Sequence, residues 1–421
     1  MAGMLKLRNE RTGQLEPFEP LEPGKATVYV CGITPYDTTH LGHAFTYLSY
    51  DVLIRYLEYR GYAVRYVQNV TDIDDDVLRK GHETREDWFE LGNRWTRRFL
   101  EDLRDLNVRT PDVLPRATET IPDMFAPIQA MIDAGKAYVA AGNVYYSVAS
   151  YGDFGEISGL PEAEWLSTAN ERGNHPDDPH KRDPLDFVLW QATVPGEPSW
   201  QSPWGAGRPG WHIECSTMVS KYLGEQIDLH GGGADLTFPH HECESAQART
   251  VNGKTFFVRY WLHTAMVRYN GEKMAKSLGN LVWVRDLIDE YSADAVRALV
   301  HAHNYDETWE YRAEESQAAN TLAKKLRRAA WRESGTGTPY QAEDAVQAFL
   351  AALENNLDSA SALTVLECLS DDILAQIASG ADVSAAQKTL RSAAGILGMR
   401  LGTEADAEQT RVWDALIKRF E

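Results

Sequence analysis

ATVYVCGITPYDTTHLGHAFTYLSYDVLIRYLEYRGYAVRYVQNV, residues 26–70, reads as a strand, a helix and a second strand in immediate succession. Ala26–Gly32 (ATVYVCG) is β-branched and aromatic and ends on glycine, the pattern of a buried strand. After a loop holding Pro35, apolar residues recur at helical spacing from about His40 to Tyr59 and stop at Gly61. Ala63–Val70 is extended again. Elements this close form a βαβ unit, which predicts a right-handed crossover and a parallel, Rossmann-like α/β sheet.

On the N-terminal side, residues 4–20 read as a short hairpin turning at Thr12-Gly13. On the C-terminal side, the spacing predicts helices over about 85–106 and 118–135. Residues 137–210 change character: short strands near Val144–Val148, then many Pro, Gly and Asp residues. They are expected to form an insertion near the substrate. The α/β pattern returns over Trp211–Ser277, with the triplet Gly231–Gly233 and a strand near Phe256–Trp261. Beyond about Tyr291 strand patterns disappear, and helices are expected over 292–303, 313–331, 341–356, 358–379, 384–398 and 408–420. The expected division is an α/β domain over 1–290, with the insertion at about 137–210, and an all-α bundle over 291–421.

Four cysteines (Cys31, Cys215, Cys243, Cys368) lie far apart in 421 residues, so metal binding or burial is a better reading than a disulfide framework. Neither a signal peptide nor an apolar run of membrane-spanning length is evident, and a cytoplasmic monomer without membrane contact is expected. The net charge of −20 disfavours a protein built mainly to hold nucleic acid and leans toward small-molecule substrates.

Two constellations point to a bound triphosphate. His40-Leu41-Gly42-His43 opens the helix after the first strand, where backbone amides suit phosphate. Histidines at i and i+3 share one face, and Gly42 leaves room for a nucleotide against the backbone. Lys273-Met274-Ala275-Lys276-Ser277, before Gly279, places two lysines on a loop able to close over phosphates. Alone, either motif is commonly a solvated helix start or turn. A third constellation resembles a metal site: Cys31, Cys215 and His240, with Glu244 four residues on as a potential fourth donor.

An HIGH-like motif after the first strand and a KMSKS-like motif before a helical domain resemble the class I aminoacyl-tRNA synthetases, with Ala275 in place of the usual serine. Cys31, Cys215 and His240 match the zinc ligands of the cysteinyl-tRNA synthetases and of their relatives, the mycothiol-pathway cysteine ligases. The resemblance implies a Zn2+ cofactor, ATP as substrate with Mg2+, and cysteine activated as an adenylate. Such a metal separates cysteine from serine, which packing alone does poorly, because it prefers a soft thiolate. The same resemblance makes His40, His43, Lys273 and Lys276 catalytic. It places Cys31, Gly32, Ile33, Thr34, Thr46, Asn69, Val70, Thr71, Gly233, Ala234, Asp235 and Val267 around the adenylate, with Trp211 walling the pocket. The acidic run Asp72–Asp76 looks like a magnesium site, but the resemblance makes it a structural cap.

Within the family, Gly32-Ile33-Thr34-Pro35-Tyr36-Asp37, Glu171–Pro176 (ERGNHP, against ERGGDP) and Lys181–Asp186 (KRDPLD) resemble the mycothiol ligase. His230 and Glu244 are typical of the tRNA enzyme. The tRNA enzyme normally carries a basic anticodon-binding module after its bundle. Here residues 341–421 hold six Lys or Arg against thirteen Asp or Glu, a net −7. The resemblance therefore leads to the amine of glucosaminyl-inositol, an amino-sugar, as acceptor. Charging of tRNA with cysteine is the alternative.

Overall fold

The computed structural model describes residues 3–36, 39–274 and 278–421. In chain order, β1 (Lys6–Asn9) and β2 (Gln14–Pro17) form the hairpin. They are followed by β3 (Lys25–Ile33), α1 (Leu41–Tyr59), β4 (Ala63–Val70), α2 (Asp75–Thr84), α3 (Trp88–Asp105) and α4 (Ala117–Asp133). The insertion holds β5 (Ala137–Ala140), β6 (Asn143–Tyr146), α5 (Glu162–Asn170), β7 (Phe187–Ala192), β8 (Trp200–Ser202) and β9 (Gly205–Pro209). Then come α6 (Trp211–Leu223), β10 (Ile227–Gly233), α7 (Glu242–Asn252), β11 (Val258–Thr264), β12 (Val267–Tyr269), β13 (Glu272–Lys273), α8 (Val284–Glu290), α9 (Ala293–His301) and β14 (Trp309–Glu310). The bundle closes with α10 (Ala313–Trp331), α11 (Glu343–Glu354), α12 (Ser359–Ala378), α13 (Ser384–Ile396) and α14 (Ala407–Lys418).

The central sheet is parallel throughout, in the order β11-β10-β3-β4. From β3 the chain steps one way to β4; from β10 it steps the other way to β11. The crevice between the C-terminal ends of β3 and β10 is therefore the topological switch point, where α/β sheets place ligands. Strand β3 shows how the sequence builds both faces. Ala26, Val28 and Val30 pack into the core shared with α1 and the bundle, while Tyr29 and Cys31 enter the core beneath α6. Period-two alternation thus points Cys31 at the opposite face from α1.

The expected α/β fold is found, with differences of detail that have physical causes. The acidic run Asp72–Asp76 is the structural cap that the resemblance implies, but it opens a helix, α2, that the sequence reading did not set apart. Asp74 caps α2 by accepting from the Asp76 amide at 2.8 Å, and Asp72 accepts from Arg116 and from both donors of Thr118. The helix expected from residue 85 accordingly begins at Trp88, capped by Asp87. The insertion is a five-stranded antiparallel sheet, β5-β6-β7-β9-β8, where the sequence shows only short strands near Val144–Val148. A two-residue strand, β14, persists past Tyr291 and pairs with β12. Cys368, expected to be buried, is exposed, whereas Cys243 is buried.

The apolar core runs from the sheet through α1 into the bundle without a break at residue 290. Arg297 of α9, fully buried, fastens the junction: it donates to the Leu106 and Leu397 carbonyls and, at 2.6 Å, to Asp51 of α1. His301, one turn on, lies 3.1 Å from the same Leu397 carbonyl. Burial, and then the Arg297 charge, depress its pKa from 6.5 to about 3. The folded value lies below the unfolded one, so the stability this neutral histidine contributes is present above pH 6.5 and lost on acidification. Between pH 6.5 and 5 the loss is expected to be about 2 kcal/mol. Urea titrations should show a flatter pH dependence for His301→Gln; an identical slope in both proteins would refute the assignment.

Candidate active site and metal centre

The crevice is built from strand ends that tolerate no side chain. A Cβ on Gly32 would sit 1.5 Å from the Asn69 carbonyl oxygen, and one on Gly231 would sit 1.7 Å from that of Leu262. Glycine here is a matter of close approach rather than of an unusual backbone angle. Asn69 fixes the lip further: its Oδ1 accepts from the Gly32 amide at 2.8 Å and its Nδ2 donates to Thr71. Asn69, Val70 and Thr71 are thus buried behind the end of β3, their polar atoms engaged within the protein. Ile33 is buried beside them, whereas Gly32 and Thr34 are partly open.

The histidine motif caps α1. His40 Nδ1 accepts from the Gly42 amide at 3.1 Å, His43 Nδ1 accepts from the His40 amide at 3.3 Å, and the two rings lie 3.8 Å apart. Backbone pairing of Leu41 with Val282, and of Val284 with Thr39, ties this motif to the segment after the lysine loop. The histidine motif therefore lies against residues 282–284, which follow the lysine loop in sequence. Lys273, at the end of β13, donates to Asp235 at 3.1 Å, just past β10. Lys276 lies outside the described residues. Gly233, Ala234 and Asp235 are partly exposed on the opposite lip, and Thr46 of α1 shares a 2.7 Å hydrogen bond with Thr264 at the end of β11. Val267 is buried in β12.

Beneath the crevice the predicted donors converge. Cys31, at the end of β3, and Cys215, on α6, have their sulfurs 3.9 Å apart. His240 Nε2 lies 3.0 Å from Glu244 Oε1, and Glu244 is 3.9 Å from Cys31 Sγ. His241, not singled out from the sequence, joins them with its Nε2 3.3 Å from Cys31 Sγ. Histidine 240 and Glu244 do not lie on one regular helix as expected. A wide turn spans Thr237–His241 and α7 begins at Glu242, yet the two side chains still meet. Trp211 stacks on the His240 ring with centroids 4.2 Å apart, forming a wall.

Electrostatics favour a cation here. Hydrogen bonding from Cys31, assisted by His240 against burial, holds the Cys215 thiol down to about 7. Burial raises the Cys31 thiol. Against burial, His230 and His240 hold Glu244 to about 2, while Glu244 and Cys215 push His240 up to about 10. His240 Nε2 is wholly buried yet oriented so that it makes no hydrogen bond. Cys31, His240, His241 and Glu244 bring donor atoms within 4.8 Å of one another, and the buried Cys215 sulfur lies 3.9 Å from that of Cys31; sulfurs, imidazoles and a carboxylate are donors that suit zinc. An outer ring orients these donors: His230 holds Glu244 at 3.1 Å, His212 meets His240 at 2.9 Å, and His263 meets His241 at 2.6 Å. Nothing in linear spacing links these histidines, because each arrives on a different element.

The insertion closes this region from above. Arg172 donates to the Asp235 and Phe238 carbonyls, clamping the turn between β10 and α7. Glu242 accepts from the Ile157 and Ser158 amides. Within KRDPLD, buried Asp186 accepts from Tyr138 at 2.6 Å.

Residues 17–321 match the family model described as tRNA synthetases class I (C) catalytic domain. Over 412 residues the chain is 41% identical to the cysteine–tRNA ligase of Dehalococcoides mccartyi, covering 96% of this chain and 89% of that one. With the cysteine–tRNA ligase of Thermococcus onnurineus it shares 47% identity over 323 residues, 76% of this chain and 67% of that one. The fold is similar to that of Mycobacterium tuberculosis methionyl-tRNA synthetase in complex with methionyl-adenylate. There the TM-score is 0.61 at 15% identity, covering 93% and 94% of the two chains.

Proposed function

The chain belongs to the cysteine type of the class I tRNA synthetases, and from that premise we infer that it activates L-cysteine with ATP and passes the cysteinyl group to tRNA. One observation carries the cysteine half of this reading: the Cys31 and Cys215 sulfurs lie 3.9 Å apart directly under the nucleotide crevice. Cys31, Cys215, His240 and Glu244 are suited to hold zinc, with His241 within reach; when bound, zinc supplies a soft Lewis acid that prefers a thiol to a hydroxyl. Trp211 bounds the amino acid's pocket. Asp235 offers a carboxylate to ribose hydroxyls. The α1 N-terminus and its two histidines face the phosphates, and Lys273 can leave Asp235 to reach them.

In the first step a carboxylate oxygen of cysteine forms a bond to the α-phosphorus, and the bond to the leaving pyrophosphate breaks. A terminal ribose hydroxyl of tRNA then attacks the adenylate carbonyl, and AMP leaves. No enzyme nucleophile is needed; position and charge supply the acceleration.

The amino-sugar acceptor stands as a second reading, favoured by the net −7 over residues 341–421. The ERGNHP and KRDPLD stretches lend it less, because Arg172 and Asp186 are engaged in internal hydrogen bonds. Zinc-loaded protein with ATP and radiolabelled cysteine should exchange pyrophosphate and label bulk bacterial tRNA. Amide formation with glucosaminyl-inositol, without tRNA labelling, would replace the first reading by the second. Absence of cysteine-dependent exchange would remove both.

A further inference from the structure

Helix α14 follows the bundle in sequence, yet it packs back along the α/β domain beside α3. The Trp413 indole donates to the Val108 carbonyl at 3.0 Å, Arg419 donates to the Leu114 carbonyl at 3.1 Å, and Arg104 meets Asp414 at 3.2 Å. Just past the helix, Phe420 is 1% exposed, and the guanidinium carbon of Arg116 lies over its ring, 4.8 Å from the centroid. The Phe89 ring of α3 stands at the same distance from that carbon. Arg116 is itself buried and grips two partners: Nε donates to Asp72 at 2.8 Å, and Nη2 donates to Asn93 of α3 at 2.7 Å. These groups stand directly behind the nucleotide crevice. Asp72 follows Thr71 at the end of β4, Arg116 pairs with Val70, and the Val70 amide donates to the Pro115 carbonyl at 2.9 Å. Thr71 in turn donates to the Ile33 carbonyl at 3.0 Å and accepts from the Asn69 side chain, whose other end holds Gly32.

We propose that Phe420 is a positioning residue for adenylate formation, acting through Arg116 and Asp72 on the β4 lip, a claim that rests on the crevice being the site of cysteine activation. A guanidinium–carboxylate pair taken out of water keeps one geometry only while water stays out. Phe420 covers the pair and also presents a ring face that attracts its cation. An aliphatic side chain excludes water but has no such face, so the ring itself fixes the fork. Asp72 is held by that fork and by both donors of Thr118. A loosened Arg116 therefore frees the residue next to Thr71, and with it the lip that Asn69 ties to Gly32.

The test compares Phe420→Leu, Phe420→Tyr and Arg116→Lys in cysteine-dependent pyrophosphate exchange, well below the melting temperature of each. Phe420→Leu should lose about 10-fold in kcat, the scale of a desolvated cation–π contact, with KM for ATP changed by less than about 2-fold. Phe420→Tyr, which keeps the ring face, should retain most of kcat. Arg116→Lys keeps the charge but not the fork and should lose at least as much, and adding Phe420→Leu to it should cost nothing further. Lower melting temperatures with normal kcat in the folded protein, or additive losses in the double variant, would mark a purely structural contact and overturn the proposal. Hydrogen exchange supplies a readout that needs no activity. The Thr71 and Gly32 amides should exchange faster in Phe420→Leu than in wild type or Phe420→Tyr, and equal rates would also overturn the proposal. If wild-type protein shows no pyrophosphate exchange, cysteine activation falls, and the amide rates alone decide the coupling of Phe420 to the lip.

Discussion

Cys215→Ala should bind little zinc and lose more than about 100-fold in kcat/KM for cysteine-dependent pyrophosphate exchange, since removing even an outer partner of a metal ligand commonly costs 10- to 100-fold. The thiol is 1% exposed, sits 3.9 Å from Cys31, and is held down to about 7 chiefly by the hydrogen bond from that cysteine. A buried sulfur that ionises so readily needs a positive partner, and alanine offers that partner nothing. The serine-to-cysteine discrimination should collapse with the metal content. Cys243→Ala is the matched control. That thiol is equally buried but belongs to the insertion-side core, and burial raises its pKa. Retention of both metal and cysteine preference by Cys215→Ala would refute the site.

Those two cysteines illustrate what a sequence can disclose. The alternation Ala26, Val28, Val30 against Tyr29, Cys31 is written in β3, and it sends Cys31 to the face where α6 must pack. The glycine-ended strands and the flanked histidine and lysine motifs are likewise local patterns, so the strand ends that form the crevice were legible. The meeting of His212, His230, His241 and His263 was not, His230 having been marked only as a family-typical residue, because it depends on α6, β10, the turn before α7 and β11 converging. The same limit hid the partners of Arg172, a residue marked in the ERGNHP stretch, whose guanidinium grips two carbonyls more than sixty positions away. In the insertion, short strands broken by Pro and Gly give too few alternations to declare a sheet. The net charge, too, is a coarse guide. It averages over the molecule, whereas a partner meets a surface, and the end of α10 is basic on an acidic protein.

Lys273→Ala should lower kcat for adenylate formation by about 10²- to 10³-fold, the usual cost of losing one fixed donor to a developing charge. The lysine stands at the end of β13, 53% exposed, with its ammonium 3.1 Å from Asp235, itself 42% exposed. Pairs so open to water contribute only about 0–1 kcal/mol, so a triphosphate carrying several negative charges readily takes the lysine over. Two further variants separate catalysis from mere tethering of the hairpin. Asp235→Asn breaks the same contact but leaves the ammonium, and should raise KM for ATP while sparing most of kcat. Lys273→Arg restores charge with a different reach, and should recover part of kcat. If the contact served only to hold β13 in place, Asp235→Asn and Lys273→Ala would damage kcat alike, and the lysine would have no claim on the phosphates.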